Sequence, residues 1–111
     1  MIPDAGDIAW VEFCVTVGTE QSERRPALIL SGAGYHSRAP RAVVCPITTT
    51  ERSWPFDVAL PPGLRTRGFV LVDQIRSVDR TGRVFRLIER APSDVVESVR
   101  LALASLLGIA A

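Results

Sequence analysis

The sequence predicts a mainly antiparallel β fold, a barrel or sandwich, with one helix at its C-terminal end. Short apolar runs rich in β-branched residues recur at regular intervals, and turn residues separate them. Only the tail changes period, to steps of three and four.

Taken in order, Ile8 to Phe13, with Trp10, forms a first strand. Ala27-Leu28-Ile29-Leu30 and Ala42-Val43-Val44-Cys45 form a second and a third. Phe56 to Leu60 alternates toward a fourth and stops at the turn Pro61-Pro62-Gly63. Phe69-Val70-Leu71-Val72 is a fifth, and Val84 to Ile88, after Thr81-Gly82, is a sixth. In the tail, Val95, Val99, Ala102, Leu103, Leu106 and Leu107 share one helical face. Pro92 suits the first turn, Gly108 suits the C-terminal cap, and Asp94 and Glu97 place negative charge near the positive end of the dipole. Such a helix is expected to lie on the barrel as a lid. The long connections are Cys14 to Arg24, Ser31 to Pro40, Thr49 to Trp54 and Pro61 to Arg67, and loops of this kind carry binding chemistry.

The 111 residues fit one domain, 1–111, and a chain of this size buries roughly two-thirds of its unfolded surface. A hydrophobic fraction of 47% with 23% charged residues is globular and argues against disorder. No apolar run approaches the roughly 20 residues that cross a bilayer. The opening Met1-Ile2-Pro3-Asp4-Ala5-Gly6-Asp7 has neither the basic patch nor the apolar stretch of an export signal. A cytoplasmic protein with no membrane partner, and with Cys14 and Cys45 both reduced, is expected. The net charge of +1 excludes an indiscriminate nucleic-acid coat. All thirteen basic residues are Arg, whose planar fork matches phosphate, although a GC-rich genome produces the same bias.

Much chemistry is excluded. Without Lys there is no P-loop. The segment Ser31-Gly32-Ala33-Gly34-Tyr35 is read as a loop that opens no helix, so it is not a dinucleotide fingerprint. No Gly-x-Ser-x-Gly elbow exists. Zinc needs more than His36 and two scattered cysteines, and Asp4, Asp7, Asp73 and Asp79 do not form a magnesium cage. No metal and no cofactor are expected, and His36 is read as a surface residue, not a base. What remains is the polar stretch Glu20 to Pro26 before the second strand and the run Cys45-Pro46-Ile47-Thr48-Thr49-Thr50 ending the third. Each also has a structural reading: an Arg25 ion pair with Glu20 or Glu23, and plain strand propensity for the threonines.

In order along the chain stand Gly6-Asp7-Ile8-Ala9-Trp10-Val11, Gly18-Thr19-Glu20-Gln21, Arg25-Pro26, Pro46-Ile47-Thr48-Thr49, Trp54-Pro55-Phe56-Asp57-Val58 and Val72-Asp73-Gln74-Ile75-Arg76-Ser77. From about Asp4 to the tail helix this pattern resembles the MazF/PemK toxins. The resemblance implies an SH3-like antiparallel barrel that forms a homodimer. It also implies a toxin of a type II toxin–antitoxin pair: an endoribonuclease cutting single-stranded RNA (mRNA) at short sequences. A small acidic antitoxin would block it by lying across the RNA groove. The family's Arg and Thr match Arg25 and Thr48 as catalytic residues, and Glu20, Gln21, Thr49 and Gln74 fall at RNA-contacting positions.

The residues suit that chemistry independently. RNA supplies its own nucleophile, the 2′-hydroxyl, and the protein need only hold the strand and the developing phosphorane charge. Arg25 donates to the non-bridging oxygens and Thr48 adds a neutral donor. The expected products are a 2′,3′-cyclic phosphate and a 5′-hydroxyl, formed without a metal. Arg is a poor base, so either a desolvated Arg25 or water takes the proton. The chain departs from the family at Cys14-Val15-Thr16-Val17, at Tyr35-His36-Ser37 and at Trp54, a residue suited both to stacking on a base and to covering the barrel rim. Two other readings share the fold: a non-nuclease toxin like the gyrase poisons, and an inactive antitoxin-binding module.

Overall fold

The computed structural model describes residues 2–14 and 23–109, and of Cys14 the backbone alone. Among the described residues the order is β1 (Asp7–Cys14), β2 (Glu23–Ile29), α1 (Ala33–His36), β3 (Arg41–Thr48), β4 (Asp57–Ala59), β5 (Phe69–Leu71), a 3₁₀ turn (Val72–Gln74), β6 (Arg76–Asp79), β7 (Phe85–Arg90) and α2 (Ser93–Leu107). All strand pairs are antiparallel, in the order β4-β5-β3-β2-β1-β7, with β6 also on β3. The protein is thus mainly antiparallel β with a C-terminal helix. The strands form a barrel-like curl that hydrogen bonds do not close into a ring among the described residues.

Alternation along the strands gives the sheet two apolar faces. Ala9, Val11, Phe13, Ala27, Ile29, Ala42, Val44 and Val78 form an inner core, with Phe85 and Leu87 against it. Ile8, Leu28, Cys45, Ile47, Val70 and Val72 form an outer core under Val95 and Val99 of α2. The helix is therefore a lid on the sheet through Val95, Val99, Ala102 and Leu103 of the face the sequence marks out, whereas Leu106 and Leu107 of that face are exposed. It ends where Gly108 takes a left-handed φ of +70°, and the Ile109 N–H closes back on the Ala104 carbonyl at 2.8 Å. No helix among the described residues is long and apolar enough to cross a membrane.

Several expectations need correcting. The second strand begins at Glu23, four residues before the apolar run, so Arg24, Arg25 and Pro26 lie within it. Polar side chains are tolerated there because β3 pairs with β2 only from Ala27 to Ile29, leaving the other end open on one side. There Pro26 has no ladder partner on β3 to disappoint. An unexpected strand, β6, contains one buried apolar residue, Val78, too few to show a period. The segment after Ser31 does open a helix, though of four residues.

His36 is not a surface residue. It is 4% exposed, with Nδ1 at 2.7 Å from the Pro3 carbonyl and Nε2 at 2.7 Å from the Ser31 hydroxyl. A carbonyl only accepts, so Nδ1 carries the proton. The Ser31 oxygen accepts from the Val43 N–H at 2.8 Å and donates to Nε2. Every polar atom of the imidazole is satisfied, and the ring ties the N-terminal segment to the β2–β3 connection. The Arg80 guanidinium reinforces this corner by donating to the carbonyls of His36 and Ala39.

Candidate functional site

The register of β2 on β3 places the sequence's two leading candidates together. The ladder ends at Ala27 opposite Pro46, and continuing its register two residues past that last pair sets Arg25 against Thr48 at the adjoining strand ends. Alternation sets Arg25 on the face of Ala27 and Ile29, and Thr48 on the face of Val44 and Pro46, at the rim of the inner core. Both are half-buried. On its other side β2 pairs Arg25 with Val11 and Arg24 with Glu12. A register shift between Glu12 and Cys14 then bends the end of β1 beside them.

The electrostatic state of the rim is specific. Arg25 Nη2 lies 2.9 Å from Glu23 Oε1, with side chains 35% and 48% exposed. This is the Glu23 pairing that the sequence allows. At such exposure the pair is worth at most about 1 kcal/mol, so an anion can displace Glu23. Arg24 reaches the nearly buried Glu12 at 3.5 Å, and Arg76 sits 4.7 Å above the Phe13 ring. That cation–π contact, absent from the sequence reading, closes the rim between β1 and β6.

Thr48 owes its position to a glycine the sequence did not flag. Gly68 adopts φ +120°, and a Cβ there would stand 2.0 Å from the Thr48 carbonyl oxygen. Only glycine lets β5 come so close, where Phe69 pairs with Thr48. The Thr48 hydroxyl accepts from the Thr50 N–H at 3.2 Å and keeps its own proton to donate. Thr49 is exposed on the neighbouring face and lines a largely apolar cavity of about 440 Å³ with Trp10, Pro26, Ile88, Arg65 and Arg67. The loop carrying those arginines is pinned by Glu89, whose carboxylate accepts from the Arg65 N–H, the Thr66 N–H and the Thr66 hydroxyl at 2.7–3.0 Å. Burial pushes the Glu89 carboxyl up, but these three donors outweigh it and leave the group below its ordinary value.

The other candidates are less tightly gathered. Gln74 is exposed at the end of the 3₁₀ turn, and no hydrogen bond or ion pair joins it to Arg25 or Thr48 among the described residues. Glu20 and Gln21 lie outside the described residues. No three His, Cys, Asp or Glu side chains gather as metal ligands among the described residues. The Cys45 thiol is buried and free, and burial, with Asp73 nearby, pushes it up to about 12, so it is no nucleophile.

Fold and rim together define a small curled β protein that presents an Arg–hydroxyl pair across neighbouring strand ends, with no buried catalytic histidine in reach. The chain belongs to the PemK-like, MazF-like toxins of type II toxin–antitoxin systems, whose family model matches residues 4–107. It is 39% identical over 77 residues to the endoribonuclease toxin MazF of Escherichia coli K12, covering 69% of this chain and 68% of that one. Against the Escherichia coli endoribonuclease PemK it is 34% identical over 100 residues, with 86% and 75% covered. Among solved structures, a MazE–MazF crystal structure from Deinococcus radiodurans superposes with a TM-score of 0.92 at 42% identity, covering 99% of both chains.

Proposed function

We propose that this chain is the toxin of a type II toxin–antitoxin pair, a single domain spanning 1–111 that cleaves single-stranded RNA at short sequences in the cytoplasm. Relatives bear the name endoribonuclease, and one resembling structure pairs MazF with MazE. The observation that supports the reading is the β2–β3 register, which ends at Ala27 opposite Pro46 and, continued two residues, brings Arg25 against Thr48. A module that only binds protein has no use for it.

In this reading the phosphodiester displaces Glu23 and takes the Arg25 guanidinium on its non-bridging oxygens, while the Thr48 hydroxyl donates to the same group. The neighbouring 2′-oxygen attacks phosphorus, the bond to the 5′-oxygen breaks, and that oxygen takes a proton from water and leaves as a hydroxyl, giving a 2′,3′-cyclic phosphate on the other fragment. Arg25 acts through its charge and stays protonated, so the 2′-proton leaves by water. Thr49 and Gln74, with Glu20 and Gln21, contact the strand around that point. The active form is a homodimer, and the neutralising partner is a small acidic antitoxin that occupies the same groove.

The test is incubation of the protein with a defined RNA in excess EDTA, followed by end-group analysis. Cleavage leaving cyclic phosphate is expected, and abolition by chelation would overturn the metal-free step. Arg25→Ala, folded by thermal melt, should lose about 10²–10³ in rate, the usual cost of a transition-state donor; undiminished cleavage would remove Arg25 from the chemistry. Sedimentation should give twice the mass of one chain.

A further inference from the structure

Beside Thr48 lies a second cavity, of about 260 Å³, lined by Glu51, Ser53, Trp54, Pro55, Asp57 and Phe69. Phe69, one of its lining residues, is the cross-strand partner of Thr48. Trp54 leaves 47% of its surface in solvent, yet it is held firmly. Its indole N–H donates to Asp73 Oδ2 at 2.8 Å, and its ring leans on Phe56 at 5.8 Å and 52°. Arg52 clamps Asp57, whose side chain is 4% exposed, with two bonds of 2.7 and 2.8 Å, and lies 3.9 Å from Asp73.

Between Arg52 and Trp54, Ser53 takes φ +50°, a left-handed conformation that no other described non-glycine residue adopts. A loop free to relax would fold so large an apolar ring inward. Here backbone strain, an ion pair and an indole hydrogen bond hold the ring with about half of its surface in solvent instead, and strain of this kind collects at binding sites.

We propose that the Trp54 indole is a stacking platform for one base of the RNA next to the scissile phosphodiester, which makes the loop 49–56 a determinant of the cleavage sequence. The inference rests on the nuclease reading above. The Glu51 carboxylate in the same cavity only accepts hydrogen bonds, so it favours bases that carry an amino group over uracil, which offers a single N3–H flanked by two carbonyl oxygens. Asp73 is the positioning residue, because it fixes the ring plane and sits beside Gln74.

The experiment maps the wild-type cleavage site on a defined RNA, then makes each flanking base abasic in turn and repeats the kinetics with Trp54→Ala and Trp54→Phe. Trp54→Ala should raise KM by about 5- to 150-fold, the range for losing one stacked base, and Trp54→Phe should keep most of the wild-type value. At one flanking position the abasic substitution should cost the wild type a similar factor and cost Trp54→Ala nothing further. Glu51→Gln should relax discrimination against uracil at that position. If Trp54→Ala melts like the wild type and cleaves with the same KM and site preference, or if abasic penalties add at every position, the platform is wrong while the nuclease reading stands. A wild-type protein that cuts no RNA would take both down.

Discussion

Two polar corners of this molecule make instructive neighbours. At one, His36 is 4% exposed and each ring nitrogen has one fixed partner, with the Ser31 hydroxyl and the Arg80 guanidinium completing the set. At the other, Arg25 is one-third exposed, its partner Glu23 is half exposed, and the Thr48 hydroxyl retains an unspent proton. The His36 ring has no capacity left for a ligand, although the Arg80 Nε beside it is buried without a partner among the described residues, and the second corner has capacity because its present partners are weakly held. Residue type alone would rank them the other way, since histidine is the commoner catalytic side chain. Saturation by the fold, not chemical versatility, separates the polar group that only holds structure from the one that can still take a ligand.

That contrast can be broken or sharpened. The largest effect is expected from Gly68→Ala, where the new Cβ meets the Thr48 carbonyl and backbone strain adds to the collision. RNA cleavage should fall at least as far as in Arg25→Ala, with a clear loss of thermal stability, both read on the same preparation. Full activity would mean that the close approach of β5 does not set Thr48. His36→Ala should cost about 1–3 kcal/mol in denaturant unfolding, because the Pro3 carbonyl and the Ser31 hydroxyl lose their partner. Arg25→Ala should move stability by less than about 1 kcal/mol. Were the two to destabilise equally, the distinction between saturated and open corners would be lost.

A smaller effect concerns pH. The Glu89 carboxyl lies below its ordinary value in the folded protein, so its contribution is whole at neutral pH. It fades as the pH drops below the unfolded value of 4.5 and through the lowered folded one. The Arg65 and Thr66 amides should gain exchange protection factors on raising the pH from 3 to 6, and Glu89→Gln should flatten that change.

The sequence exposed these features unequally. Where burial follows a period, as in Ile8 to Phe13 or along Val95, Val99 and Leu103, the elements were readable to within a few residues. β6 escaped because Arg76-Ser77-Val78-Asp79 buries one side chain and is a strand only by leaning on β3. The polar start of β2 escaped because the ion pair that ties it to its neighbour, Glu12 with Arg24, exists only once β1 and β2 are side by side. Arg25 and Thr48 could be named from ordered motifs, but their opposition needed the register. Gly68 gave no local sign at all, since its requirement comes from a carbonyl twenty residues away in the chain. His36 misled for the same reason: its partners are Pro3 and Ser31, and Pro3 is remote in sequence.

β3 hydrogen-bonds to β2 along one side and to both β5 and β6 along the other. Freeing it requires three ladders to part together, so it should be the last segment to surrender its amide protons when the molecule breathes. Thr48 stands at the end of that strand, where Phe69 of β5 is its one ladder partner among the described residues. A partner that worked by prising strands apart would meet its greatest resistance at the middle of β3 and its least at the end that carries Thr48.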